Sequence, residues 1–406
     1  MRILLVGAGG VGTAAVRIAA RRDFFDHMVV ADYDPERARA AVGSVGDSRF
    51  VAARVDASDE AAVRELLAGH RCDVLLNATD PRFVMPLFRA ALDGGSHYLD
   101  MAMSLSRPHP ERPYEECGVK LGDEQFALDE EWRDRGRLAL VGIGVEPGLS
   151  DVFARYAADE LFDEIEEIGV RDGADLVVDG YAFAPSFSIW TMIEECLNPP
   201  VVYEADRPAG RKWFTTEPFS EPEIFDFPEG IGPLECVNVE HEEVLLIPRH
   251  VEARRVTFKY GLGSEVIGTL RTLHRLGLDR TDPVAVGPVE VAPRDVVAAC
   301  LPDPATLGER MRGRTCAGTW VKGSRAGTPR ELYLYHVVDN QWSMSEYGSQ
   351  AVVWQTAVNP VIALELMAEK VWGGAGVLGP EALPPGPFLD RLASYGAPWG
   401  MREHRS

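Results

Sequence analysis

The chain has 406 residues, which at roughly 150 residues per domain makes two or three domains. Hydrophobic residues make up 46% and charged residues 26%, a balance that excludes disorder as the main state. Lys and Arg number 41 against 63 Asp and Glu, a net charge of −22, and no basic run exceeds a pair such as Arg21–Arg22, so no nucleic-acid partner is expected.

Residues 2–6, Arg-Ile-Leu-Leu-Val, run apolar into glycine as a buried parallel strand does. Residues 11–21 follow with apolar side chains at helical spacing. Met28 to Ala31, closed by Asp32, is a second strand, and Pro35 opens a helix with proline in its first turn. Phe50 to Val55 reads as a third strand, and Ser58 as the cap of a helix running to Gly69. Val74 to Leu76, His97 to Met101 and Leu138 to Ile143 are strands four to six, with a helix over 86–93. Strand and helix in this alternation predict a doubly wound α/β sheet.

After Val145 the pattern changes. An amphipathic helix spans 147–161. Strand-like segments follow at 165–170 and 244–247, and Val256, Phe258 and Tyr260 alternate with Thr257 and Lys259, giving one buried and one wet face. Residues 205–235, rich in proline and acid, read as irregular loops. Residues 352–371 form an apolar helix interrupted at Asn359–Pro360, and a proline-rich loop at 384–387 precedes a short last helix. The expected division is an α/β Rossmann domain over 1–145, an α+β domain with a largely antiparallel or mixed sheet over 146–345, and a C-terminal helical segment over 346–406 that can pack back on the first domain.

Six cysteines, at 72, 117, 196, 236, 300 and 316, stand too far apart for a CxxC pattern and read as reduced thiols. The N-terminus lacks a signal peptide's apolar region, and no run of about 18 apolar residues suggests a membrane span. The expectation is a soluble cytoplasmic protein with no membrane partner. No HxxxH or Cys/His cluster points to a metal.

Gly7-Ala8-Gly9-Gly10-Val11-Gly12 is G-x-G-x-x-G between a strand and a helix. Gly7 permits the tight turn, Gly9 lets backbone approach a pyrophosphate, and Gly12 lets helix and strand pack closely. The N–H groups of Gly10 and Val11, at the helix N-terminus, face phosphate. Asp32 ends the next strand about twenty residues on, where an acid takes the ribose hydroxyls. Its carboxylate disfavours a 2′-phosphate, so NAD is expected over NADP, although Arg37 and Arg39 stand one turn into the next helix.

With these features on the page, the sequence resembles the saccharopine dehydrogenase family, which has lysine 6-dehydrogenase-like and carboxynorspermidine-synthase-like, polyamine-forming members. The resembling segments are Val74-Leu-Leu-Asn77-Ala-Thr-Asp80, Gly95-Ser-His97-Tyr98-Leu-Asp100, Gly144-Val-Glu146-Pro147-Gly148-Leu-Ser-Asp151, His241-Glu-Glu-Val-Leu-Leu-Ile-Pro248 and Phe258-Lys-Tyr-Gly-Leu-Gly-Ser-Glu265. The resemblance implies that fold and nicotinamide chemistry at a carbon–nitrogen bond.

The reaction site of such a sheet lies beyond the C-terminal strand ends. Asn77, Ala78 and Thr79 emerge there; Asn77 either binds the nicotinamide ribose or carboxamide or caps the next helix. Tyr98 and Asp100 end the fifth strand, with Tyr98 a substrate contact. Glu146 stands where the chain leaves for the second domain. A carbon–nitrogen substrate needs a base tuned toward neutral pH, and the candidates are Asp100, Glu146 and His241. Ser186 and Ser188, ahead of a helical stripe, either hold a substrate carboxylate or cap that helix. The aromatic residues Tyr181, Phe183, Phe187 and Trp190 form a pocket wall or core, His97 reads as structural, and Arg249 and Lys259 are further cationic candidates.

The resulting reading is an NAD(P)-dependent oxidoreductase acting on a C–N bond of an amine, amino acid or carbonyl partner. The alternatives are a polyamine-type reductive-coupling synthase and a nucleotide-binding sensor or scaffold without turnover. The apolar face of the strand-like segments over 244–260 suggests a homo-oligomer that covers it.

Overall fold

The computed structural model describes residues 1–181, 183–396 and 398–403. Two sheets dominate it. The first is wholly parallel and has seven strands. Six come from the N-terminal part: β1 (Arg2–Val6), β2 (His27–Asp32), β3 (Phe50–Arg54), β4 (Val74–Asn77), β5 (His97–Asp100) and β6 (Leu138–Leu140). The seventh, Gly376–Leu378, returns from the end of the chain and pairs with β6, so that the order is Gly376–Leu378, β6, β5, β4, β1, β2, β3. Ile3, Leu4, Leu5, Val74, Leu75 and Leu76 are fully buried, because helices cover both faces and leave no wet side to alternate with.

Helix Ala351–Ala368 packs against α1 (Gly10–Ala19) and fastens the C-terminal segment to the first lobe. The break expected at Asn359–Pro360 does not occur. Pro360 removes one backbone hydrogen bond, yet the helix is buried on nearly every side, and Asn359 Nδ2 donates to the Gln355 carbonyl at 2.7 Å. Contrary to the expectation that no such segment occurs, the helix is also long and apolar enough to cross a membrane. It is 83% buried within the protein.

The second sheet has nine strands. Its centre is the hairpin Arg314–Arg325 with Thr328–Asp339, laid against Glu164–Ala174, which in turn pairs in parallel with Arg255–Gly261. The final strand, Gly400–Glu403, adds to the outer edge of the hairpin. Residues 205–235 are not the irregular loops expected. They supply strands Trp213–Thr215 and Glu223–Phe227 and the start of Gly232–Asn238. Phe225 and Phe227, two residues apart, both bury against Tyr333 and so give the segment a strand's period despite its prolines.

Two further expectations are corrected. Val244 to Ile247 lie in helix Glu243–His250, not a strand; all four are buried, and a short wholly buried apolar run carries no period to tell the two apart. In Arg255–Gly261, Thr257 (1% exposed) and Lys259 (5%) are as enclosed as Val256 and Phe258. Both faces of that strand are covered from within the chain, with Lys259 Nζ neutralised by Glu223 at 2.8 Å, so it offers no face for a second copy to cover.

The helix after β3 is Glu60–His70, and its cap is Asp59, not Ser58. Asp59 Oδ1 accepts from the N–H groups of Ala61 and Ala62 at 3.1 and 3.0 Å, whereas the Ser58 hydroxyl donates to Asp56. Asp59→Ala is therefore expected to lower stability by about 1 kcal/mol in urea unfolding, and Ser58→Ala by much less. Equal losses would show that the cap is shared.

Candidate active site

The fingerprint glycines stand between β1 and α1 for distinct steric reasons. Gly7 has φ +103°, and a Cβ there would lie 2.4 Å from the Ala78 carbonyl oxygen. A Cβ on Gly12 would sit 1.8 Å from the Gly7 carbonyl oxygen, so the helix reaches the strand only because this residue has no side chain. Around a Cβ on Gly9 nothing lies within 4 Å. That open space belongs to a cleft lined on one side by Ala8, Gly9, Gly10 and Thr13 and on the other by Ser349 and Gln350. Gly9 offers no side-chain cap, so the first N–H groups of α1, including those of Gly10 and Val11, remain for a ligand. The cradle fits a dinucleotide pyrophosphate.

Asp32 holds this loop. Its Oδ2 accepts from Ala8 N–H at 2.8 Å and its Oδ1 from Asp34 N–H at 2.9 Å, and it is 6% exposed. Asn77 forms a local turn: Oδ1 accepts from the N–H and hydroxyl of Thr79, and Nδ2 donates to the Tyr98 hydroxyl at 3.0 Å. The following short helix is capped by Asp80. Tyr98 is fully enclosed between Phe88 and Trp132, so it supports Asn77 from beneath and does not line the cleft. Ala78 N–H donates to the Val6 carbonyl, fixing the loop beside β1.

Beyond the ends of β4 and β5 lies a second, smaller cavity. Asp80, Pro81, Ala102 and Met103 form its first-lobe wall, and Trp190, Glu194, Glu195, Glu240 and Glu242 its opposite wall. None of its described lining residues is Lys or Arg. Asp80 is paired with Arg82 and Glu194 with Arg294, and the two guanidinium groups stand at 4.8 and 4.4 Å from the centre of the Trp190 ring. Glu240 accepts from the Ser106 hydroxyl and from Asn198 Nδ2, and Glu242 from Met103 N–H at 3.1 Å. These bonds from Ser106 and Met103 tie the first lobe's loop to the second lobe across the cavity floor.

Behind the cavity His241, 1% exposed, lies flat on Phe258 with 3.8 Å between ring centres. Its Nδ1 is 2.5 Å from Glu243 Oε2, and Glu243 Oε1 accepts from the Ser150 hydroxyl at 2.8 Å. Burial opposes the imidazolium, but Glu243, Glu242 and Glu195 together outweigh it and push His241 up to about 10. Among the described residues, the ligand atoms of His241, Glu242 and Glu243 lie within 4.8 Å of one another; they are occupied by the imidazolium, its counter-ion, Ser150 and Met103.

The other proposed acids surround this group. Asp100, 1% exposed, accepts from Gly142 N–H at 2.7 Å and Gln125 Nε2 at 2.8 Å; burial nonetheless lifts it to about 7, with Glu242 adding to the effect. Burial also lifts Glu146 well above the carboxylate range, followed by the proximity of Asp172. The enclosed Oε2 of Glu146 and Oδ1 of Asp172 have no hydrogen-bond partner among the described residues, and the nearness of the Asp172 carboxyl favours a proton on Glu146. Asp100, Glu146 and His241 thus converge on one buried centre, yet none of the three lines the cavity itself.

The remaining candidates lie elsewhere. Ser188 caps helix Ile189–Leu197, accepting from Thr191 N–H, while the Ser186 carbonyl accepts from Gln350 Nε2. Lys259 is taken by Glu223, and Arg249 lies over the Phe126 ring at 3.4 Å. His97 Nδ1 accepts from Leu138 N–H between β5 and β6. Sequence reasoning missed Glu195, Glu240, Glu242, Asp172 and Tyr260. The run Glu240-His-Glu-Glu243 before a buried apolar stretch was the available signal; Asp172 and Tyr260 carried none, since each is one residue in a strand.

Comparison with known proteins assigns both lobes to one family. Residues 3–140 match the saccharopine dehydrogenase NADP binding domain, and residues 144–397 match the saccharopine dehydrogenase C-terminal domain. The chain is 29% identical to a carboxyaminopropylagmatine dehydrogenase of Synechocystis sp., covering 98% of this chain and 96% of that protein. It is 28% identical to a carboxynorspermidine synthase of Vibrio cholerae, covering 99% and 97%. The apo saccharopine dehydrogenase (L-Glu forming) from Saccharomyces cerevisiae shares the fold, with a TM-score of 0.72 at 15% identity over 100% of both chains.

The glycines separate packing from binding. Gly12→Ala is expected to cost about 1–3 kcal/mol in urea unfolding, because its methyl meets backbone that cannot yield. Gly9→Ala should unfold as the wild type does but bind NADH and NADPH at least tenfold more weakly in fluorescence titration. Wild-type cofactor affinity in Gly9→Ala would show that the pyrophosphate lies elsewhere.

Proposed function

Because the chain belongs to the saccharopine dehydrogenase family, we propose that this NAD(P)-dependent oxidoreductase joins a cationic primary amine to a carbonyl compound and reduces the resulting imine to a secondary amine. The cavity carries this reading. It lies beyond the ends of β4 and β5, it is lined by carboxylates with an aromatic wall, and none of its described lining residues is Lys or Arg. Such a site favours an ammonium group over an anion. The relatives' names, a carboxynorspermidine synthase and a carboxyaminopropylagmatine dehydrogenase, support an amine of polyamine type. Oxidation of a primary amine is the second reading, favoured by the same acidic lining.

When bound, the nicotinamide supplies or accepts the hydride. The chain's own contribution is to orient the amine against acids whose affinity for protons is raised by burial, and to keep bulk water from the imine. In this reading Asp100, Glu146 and His241 set the field behind the cavity.

The test is oxidation of NADH or NADPH in the presence of a panel of diamines and amino-acid aldehydes. Turnover that requires both components is the expected result. Reduction of NAD⁺ by a primary amine alone would replace coupling by amine oxidation, and an inactive protein across the panel would refute both readings. NADH is expected to bind more tightly than NADPH, since Asp32 stands where a 2′-phosphate would lie. Tighter binding of NADPH in the same titration would overturn that preference and point to Arg37.

A further inference from the structure

Amine condensation needs a group inside the cavity that takes a proton from an ammonium and later gives it back, and Asp100, Glu146 and His241 all stand behind the cavity wall. We propose that Glu195 is the catalytic acid and base, with Tyr260 and His241 as positioning residues; the assignment rests on the coupling reaction proposed above.

Glu195 lies on helix Ile189–Leu197 and lines the cavity. The Tyr260 hydroxyl donates to Glu195 Oε2 at 3.3 Å from the rear. Tyr260 has one hydroxyl hydrogen, so its oxygen accepts from His241 Nε2, 3.4 Å away. His241 then carries hydrogen on both nitrogens, with Glu243 on the other side, and its stacking on Phe258 prevents the ring from turning. The result is a directed file from Glu243 through His241 and Tyr260 to a carboxyl that faces the substrate. Glu240 and Glu242 are held by Ser106, Asn198 and Met103. Tyr260 makes the one hydrogen bond to the Glu195 carboxyl among the described residues.

The groups facing Glu195 set its proton affinity. On its own helix are Glu194, bound to Arg294, and Cys196. From the neighbouring segments come His241, Glu242 and Glu243, then Tyr260, and Glu146 on the far side. Burial lifts Glu195 to about 8, His241 drawing it down and the acids drawing it up. Glu195 therefore gains and loses its proton in the neutral to mildly alkaline range, and its carboxylate is the form that enters the reaction.

Starting from its carboxylate form, Glu195 takes one proton from the primary ammonium, which frees the nitrogen lone pair to form the C–N bond. The attacking nitrogen passes its own extra proton to the carbonyl oxygen, giving a neutral carbinolamine. Glu195 returns its proton to the carbinolamine hydroxyl as the C–O bond breaks, water leaves and the iminium forms. Hydride from NAD(P)H then gives the neutral secondary amine, and Glu195 ends as the carboxylate with which it began.

The experiment measures Glu195→Gln, Glu195→Asp and Tyr260→Phe in two ways. In NADH oxidation with the diamine and aldehyde pair active for the wild type, Glu195→Gln should lose at least about 100-fold in kcat with NADH affinity unchanged. It should also lose the limb of the pH profile near 8. Glu195→Asp should restore part of kcat. Tyr260→Phe should shift that limb upward with little change in KM, because a bond that stabilises the carboxylate is gone. An unaltered pH profile in Glu195→Gln, or full activity, would overturn the proposal. The second measurement needs no substrate: infrared difference spectra across pH 6 to 9 should show, beside the carboxyl bands of Asp100 and Glu240, a further carboxyl band changing near pH 8 in the wild type that is missing from Glu195→Gln. Persistence of that band overturns the assignment even if no diamine pair is turned over, an outcome that by itself counts only against the coupling reaction.

Discussion

Burying an ion costs several kcal/mol unless a partner of opposite charge and further hydrogen bonds stand ready, and the cleft between the two lobes is organised around a buried pair that meets that condition. His241 and Glu243 meet at 2.5 Å, Ser150 completes the shell of the carboxylate, and Phe258 carries the ring. Around them lie more carboxyls than one imidazolium can neutralise. The surplus is eased by protons, since burial lifts Glu146 well above the carboxylate range and other acids toward neutral pH. Removing the positive centre would leave several carboxylates facing one another without compensation.

The parallel sheet explains why this centre forms where it does. All six N-terminal strands point their C-terminal ends the same way, so the loops after β1, β4 and β5 reach one edge. The first supplies the dinucleotide cradle. The other two supply Asp80 and Met103, which meet the acids of the second lobe. The dinucleotide cleft and the acidic cavity draw on loops of neighbouring strands of one sheet.

Much of this was legible in the chain. The alternation of apolar runs and helical stretches gave the parallel sheet, and the glycine spacing with Asp32 gave the cradle. Elements whose residues are buried on all sides were harder. Val244 to Ile247 has no polar residue to mark a period, and Pro360 lies in a helix that tertiary packing sustains against its local preference. The strands within 205–235 were obscured by prolines that turned out to stand largely outside the paired residues. At the site, residues at strand ends could be anticipated from topology. Glu195 and Tyr260 could not, because their meeting depends on how a helix packs on a distant strand.

The return of Gly376–Leu378 to the first sheet bears on the order in which the chain acquires structure during synthesis. The edge of β6 has no strand beside it until almost the whole second lobe has left the ribosome. A nascent chain therefore carries an exposed parallel edge for most of its elongation, and exposed edges invite pairing with other chains. Helix Ala351–Ala368, whose apolar surface closes over α1, arrives at the same late stage. The C-terminal segment thus completes a domain that began at residue 2, and a ribosome that stalls before it leaves that domain open.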